Sequence, residues 1–185
     1  MHPQLQAVIG ELGTAQARLH ALAAATPPAA WSRRPDPARW SIAECVAHLN
    51  LTSAAYLPLL RQALARSSQS IVTRRYRRDP IGWLLWRTAG PPVRLRMKTT
   101  ASFIPQAMAG AVELVAEFDR WQAEQVSYVR NAEGLPLGRL WIRSPFDPRL
   151  RYNVYAALTI LPRHQHRHLW QAEQILAALQ RPGGT

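Results

Sequence analysis

The sequence predicts an all-α fold, a four-helix bundle, and three observations carry that reading. Apolar residues recur at spacings of three, four and seven over separate stretches of the chain. Glycine and proline gather between those stretches, where they punctuate helices. No alternating pattern long enough for a substantial strand is present. With 185 residues, 48% of them apolar, the chain reads as one domain over residues 1–185. Such a chain can bury roughly 70% of its unfolded surface.

The first helix is expected over residues 4–25, where Leu5, Val8, Ile9, Leu12, Leu19 and Leu22 form one stripe. Thr26, Pro27 and Pro28 end it, since proline has no N–H to continue the ladder. Residues 29–39 then read as a loop with Trp31 tucked against the bundle. Ser41 and Glu44 open the second helix as a capping box, each side chain serving the other's free backbone N–H. Trp40, just before the cap, is placed to pack back as a hydrophobic staple. Cys45, His48, Leu49, Thr52, Tyr56, Leu59 and Leu60 follow on one face, to about Arg66, with Pro58 as a bend point.

Residues 67–103 read as a long irregular insertion between the second and third helices. It holds the basic cluster Arg74, Arg75, Arg77 and Arg78, the apolar piece IGWLLW, and Gly90, Pro91 and Pro92. The third helix is expected from Ile104 or Pro105 to about Arg130, and a Gly- and Pro-rich loop covers 131–149. The fourth starts near Leu150, with Pro162 placed to kink it. Gly183 and Gly184 finish the chain.

His164 and His168 stand four residues apart and share a helix face. Two imidazoles so placed can hold one divalent metal, and His48, on the inward face of the second helix, is the candidate third ligand. Three protein ligands leave a coordination position open, the arrangement of catalytic metal sites. The competing reading is a solvated, weakly basic HQHRH stretch. His166 points about 200° away from His164 and is expected to be exposed. His2 and His20 show no partner pattern.

Two stretches resemble a known family. RWSIAECVAHLNLT (39–52) matches W-S-x-x-E-x-x-x-H-L, and RHQHRHLWQAEQI (163–175) matches a closing H-x-x-x-H helix. MKTTASFIPQ (97–106) is similar to the same family's run into its third helix. The chain resembles the DinB-like superfamily, in its DinB_2 type. The resemblance implies up-down-down-up connectivity and a divalent metal, zinc or nickel, on His48, His164 and His168. It also implies thiol-dependent S-transferase or isomerase chemistry using a low-molecular-weight thiol. Metal-dependent hydrolysis of small esters or amides is the alternative, as is a non-catalytic binding protein for a metal or small molecule.

A cation on three neutral imidazoles keeps its full charge, and can lower the pKa of water to about 7 or hold a thiolate. Glu44, one turn before His48, is the candidate acid–base residue, though its capping role already accounts for it. Tyr56, Arg163, Arg167 and Trp170 are candidates for binding a small-molecule substrate, the arginines by holding a carboxylate. Cys45 reads as a small core residue.

The formal charge of +12 comes almost wholly from arginine, with Lys98 the only lysine. It favours anionic ligands in general and does not single out nucleic acid. No apolar run reaches the roughly 18 residues of a membrane span. A Trp-rich piece flanked by basic residues, 76–87, could lie in a membrane interface, but reads better as a lid over the bundle mouth. One cysteine and no signal-like N-terminus place the chain in the cytoplasm. A homodimer fits a bundle with spare apolar surface.

Overall fold

The structure is a computed structural model that describes residues 1–67, 74–91, 100–106 and 109–181. Lys98, Gly183, Gly184 and the first part of the 97–106 segment lie outside the described residues. Among those described, the fold is mostly helical. The helices are α1 (Pro3–Ala25), α2 (Ile42–Ala65), α3 (Pro80–Ala89), α4 (Ala111–Asn131) and α5 (Val154–Gln180). A two-stranded antiparallel sheet, β1 (Trp141–Arg143) with β2 (Arg151–Asn153), precedes α5, with Ile142 opposite Tyr152.

Four long helices form the bundle: α1 and α2 each pack against both α4 and α5. Side-chain bonds give their directions. Gln4 reaches Tyr155 and Arg18 reaches Glu173, so α1 and α5 run the same way. Gln16 bonds Asp119 while the backbone N–H of His2 bonds Glu133, so α4 runs against α1. His48 meets His164 and Tyr56 meets Tyr152, so α2 runs against α5.

The α1 stripe is buried at Leu5, Val8, Leu12, Leu19 and Leu22, with Ala15 filling the gap between Leu12 and Leu19. Trp31 is buried, and its carbonyl accepts the N–H of Ala43, locking the loop to the start of α2. The capping box forms in full: Ser41 Oγ accepts the Glu44 N–H, and the Glu44 carboxylate accepts the Ser41 N–H.

Three expectations need correction. The insertion after α2 is not wholly irregular, because residues 80–89 form α3, capped by Asp79 with Pro80 in its first turn. Its Leu85, Trp86 and Ala89 pack on the core, while Ile81, Trp83 and Leu84 face solvent. α3 lies along α5 so closely that a Cβ on Gly82 would collide with the Ala156 Cβ, so only glycine fits there. The helix expected from Ile104 or Pro105 begins at Ala111 instead; the residue before a proline is driven to extended backbone, and Ile104 adopts it. The last helix starts at Val154 rather than Leu150, because Arg151–Asn153 are taken into the sheet and Asn153 caps the helix.

His166 corrects the sequence-based expectation too. It does turn away from His164, but toward α1 rather than water, and its side chain is only 12% exposed. Nε2 lies 3.0 Å from a Glu11 carboxylate oxygen and Nδ1 lies 3.0 Å from the Arg18 guanidinium. His20 pairs with Asp119, and His2 caps α1 through Nδ1. No helix of the described residues is long and apolar enough to cross a membrane.

Candidate metal centre

His48 comes from the second turn of α2, and the capping box fixes the phase of that helix so that it points inward with Cys45, Leu49 and Thr52. His164 and His168 come from successive turns of α5, just past Pro162. His164 Nε2 lies 3.3 Å from His48 Nε2 and 3.1 Å from His168 Nε2. The donor nitrogens of all three lie within 4.8 Å of one another.

That spacing is the test of fit. Two nitrogens each about 2.05 Å from a tetrahedral ion stand about 3.3 Å apart. The His48 Nδ1–H donates to the Phe103 carbonyl at 2.8 Å, which puts the proton on Nδ1 and leaves the Nε2 lone pair facing its neighbours. Burial lowers the proton affinity of His48, opposed by that carbonyl. Burial holds His164 and His168 well below the ordinary histidine range; the charges of His48 and Arg167 add to it at both, and that of His164 adds to it at His168. The three rings are therefore neutral near pH 7, as metal ligands must be. His48 and His168 are buried and His164 is half-buried, with its Nδ1 buried and without a hydrogen-bond partner among the described residues.

A family profile for the DinB superfamily matches residues 11–172, nearly the whole chain and all three histidines. The chain belongs to the DinB superfamily. No curated protein and no solved structure matches it.

Around the histidines this DinB superfamily chain places aromatic rings that sequence reasoning did not assign to the site. Trp40 stacks on His168 at 5.8 Å between centroids and leans on His48 at 5.1 Å. Phe103 meets His48 edge-on, and Phe146 lies 5.7 Å from His164 and 4.5 Å from Phe103. Trp40 carried a signal, since it precedes the cap of the helix bearing His48. Phe146 carried none: it sits in the turn between β1 and β2, outside any periodic stretch.

The other candidates fall in different places. The Tyr56 hydroxyl bonds that of Tyr152, and its ring touches Phe146 at 6.0 Å, one ring removed from His164. Arg163 and Arg167 reach toward α3: the Arg163 guanidinium lies 4.4 Å from the Trp86 ring, and Arg167 donates to the Thr88 carbonyl at 3.1 Å. Trp170 is half-buried and, among the described residues, makes no ring contact with the three histidines.

Glu44 is engaged in other bonds. One carboxylate oxygen accepts the Ser41 N–H at 2.7 Å, and both oxygens accept from the Arg34 guanidinium. Burial works to raise its pKa, but the bonds from Arg34 and Ser41 outweigh it and the net direction is down. A carboxyl so depressed stabilises the fold above its unfolded pKa of about 4.3, and that contribution disappears as pH falls through the folded value. Glu44→Ala is expected to destabilise the protein by about 1 kcal/mol, the usual worth of a helix cap. Glu44→Gln is expected to flatten the acid limb of stability against pH. Urea unfolding at pH 7 and in stepwise acid checks both.

Proposed function

We propose that His48, His164 and His168 hold one divalent cation, zinc or nickel, and that the protein is a thiol-dependent S-transferase or isomerase for a small apolar electrophile. One observation carries the reading: three neutral imidazole nitrogens from α2 and α5 converge at ligand spacing. Membership of the DinB superfamily supports it. A cation in that cluster supplies the charge that keeps a thiol ionised near neutral pH, or that acidifies water.

The chain's own residues favour the thiol. The Phe103 carbonyl fixes the His48 tautomer and ring plane, so its lone pair is aimed before any ligand arrives. Trp40, Phe103 and Phe146 wall the cluster with apolar surface, which suits sulfur and an apolar electrophile better than a hydrated anion. Glu44, the one carboxylate that sequence reasoning offered as a base for hydrolysis, is held by Arg34 and the Ser41 N–H. Cys45 does not provide the sulfur: it is fully buried, and burial pushes its thiol far above the ordinary range, with Glu44 adding to it. The thiol must come from outside the chain.

The test is incubation of metal-loaded protein with an activated aryl or epoxide electrophile and each of the common cellular thiols in turn. Adduct formation that depends on both metal and thiol is expected. Metal-dependent turnover of activated esters without thiol, abolished in His168→Ala, would instead assign hydrolysis.

A further inference from the structure

A second group of side chains lies on the outer flank of α5, in the cleft of about 210 Å³ among α1, α3 and the tail of the basic cluster. Two guanidiniums enter it and share one ring: Arg78 lies 4.0 Å from the Trp86 centroid and Arg163 lies 4.4 Å from it. Arg78 Nε donates to Thr159 Oγ1 at 2.7 Å. Arg163 Nε is buried and has no hydrogen-bond partner among the described residues. A buried N–H of a permanent cation without an acceptor costs more than a neutral one, so such an atom marks a place where an acceptor belongs.

The surroundings fit an incoming anion. Neither guanidinium has a carboxylate within ion-pair distance among the described residues. Glu11 lines the same cleft, but its carboxylate is engaged by His166 at 3.0 Å. The Tyr155 hydroxyl, also at the cleft, accepts from Gln4 and retains its own proton to give. Burial draws the Arg78 guanidinium down from its usual range; Tyr155 opposes this and the Arg163 charge adds to it, so the two cations crowd each other. Room for Arg163 comes from Gly90: a Cβ there would lie 2.6 Å from Arg163 Nη2.

We propose that Arg78 and Arg163, stacked on Trp86, form a binding site for a small oxyanion, phosphate or carboxylate, distinct from the three-histidine cluster. Two planar forks on one aromatic ring are pre-organised for oxygen pairs, and each new N–H···O⁻ bond relieves the crowding of like charges. The oxyanion is either free or the end group of a larger small molecule. The cleft runs along the α5 segment that carries His164.

Calorimetric titration with inorganic phosphate, with acetate and with a phosphomonoester, at low salt, tests the site. It is run on chelator-treated wild type and on His48→Ala, so that an anion ligating a metal cannot supply the signal. Saturable binding is expected in both, weakened about tenfold or more by Arg163→Gln and by Arg78→Gln, the worth of one charge-assisted bond. Gly90→Val, which displaces the guanidinium without removing it, should weaken binding too. Arg61→Gln, an exposed arginine on α2, should leave it unchanged. A phosphomonoester that outcompetes phosphate would identify a larger ligand, and equal affinities a free ion. Absence of saturation, or equal weakening by Arg61→Gln, overturns the proposal in favour of diffuse attraction to a basic surface. Arg163→Lys keeps the charge and the stem but loses the planar fork, so it takes the place of Arg163→Gln if that variant does not fold.

Discussion

His48→Ala is expected to abolish metal loading: elemental analysis should find about one divalent ion per chain in wild type and a trace in the variant. Ligand count decides this. Two imidazoles on one helix remain, and at two ligands the ion trades a buried nitrogen for water. Losing an outer-shell partner alone typically costs 10- to 100-fold in affinity, at the order-of-magnitude level, so losing a ligand should exceed about 100-fold. Competition with a chromophoric chelator measures this directly. His48→Ala also removes the donor to the Phe103 carbonyl, which costs about 1 kcal/mol of fold stability. His168→Ala, which leaves the bond from His48 to the Phe103 carbonyl in place, separates the two effects. If the variants lose stability while wild type purified from metal-supplemented culture carries no metal, the three histidines are a packing cluster and the proposed chemistry falls with it.

The histidine cluster was legible because each of its members sits at a fixed phase of a helix. The capping box sets where α2 begins, and His48 follows Ser41 by seven residues, two turns on. The four-residue step from His164 to His168 does the same within α5. The aromatic wall was not legible, because Phe103 and Phe146 stand on a short 3₁₀ turn and a hairpin turn, where no period ties a residue to a direction. Three-residue strands leave too short a pattern to read, so β1 passed as loop and β2 as the first turn of a helix placed too early. Asp79 and Pro80 were a helix-start signal in plain view. They were outweighed by the surrounding prolines, glycines and arginines, which read as a connection. For His166 the angle was right and the surroundings wrong: periodicity says which way a side chain turns, not whether another helix is waiting there.

Gln165→Leu should be among the most destabilising single changes of similar volume in the chain, although a leucine there looks like an improvement to the core. Gln165 is buried beside His164 and donates to Gln122 Oε1 at 2.7 Å and to Gln125 Oε1 at 3.2 Å. Gln122 in turn donates to the Leu12 carbonyl and Gln125 to Ser53 Oγ, so the network joins α1, α2, α4 and α5 at one level. Removing Gln165 leaves two buried amide oxygens without a donor, at about 1–3 kcal/mol each. The Gln165 carbonyl oxygen is itself buried without a donor, so its loss offsets part of that, and about 1–3 kcal/mol remains. The sharper test is the triple variant Gln122→Leu, Gln125→Leu, Gln165→Leu. Replacing all the amides by apolar groups strands almost nothing, because the Leu12 carbonyl keeps its place in the α1 ladder and Ser53 keeps its bond to the Leu49 carbonyl. The triple variant is therefore expected to be more stable to urea than the single one. A single variant as stable as wild type, or a triple variant weaker than the single, would mean the glutamines hold the helices by packing rather than by their hydrogen bonds.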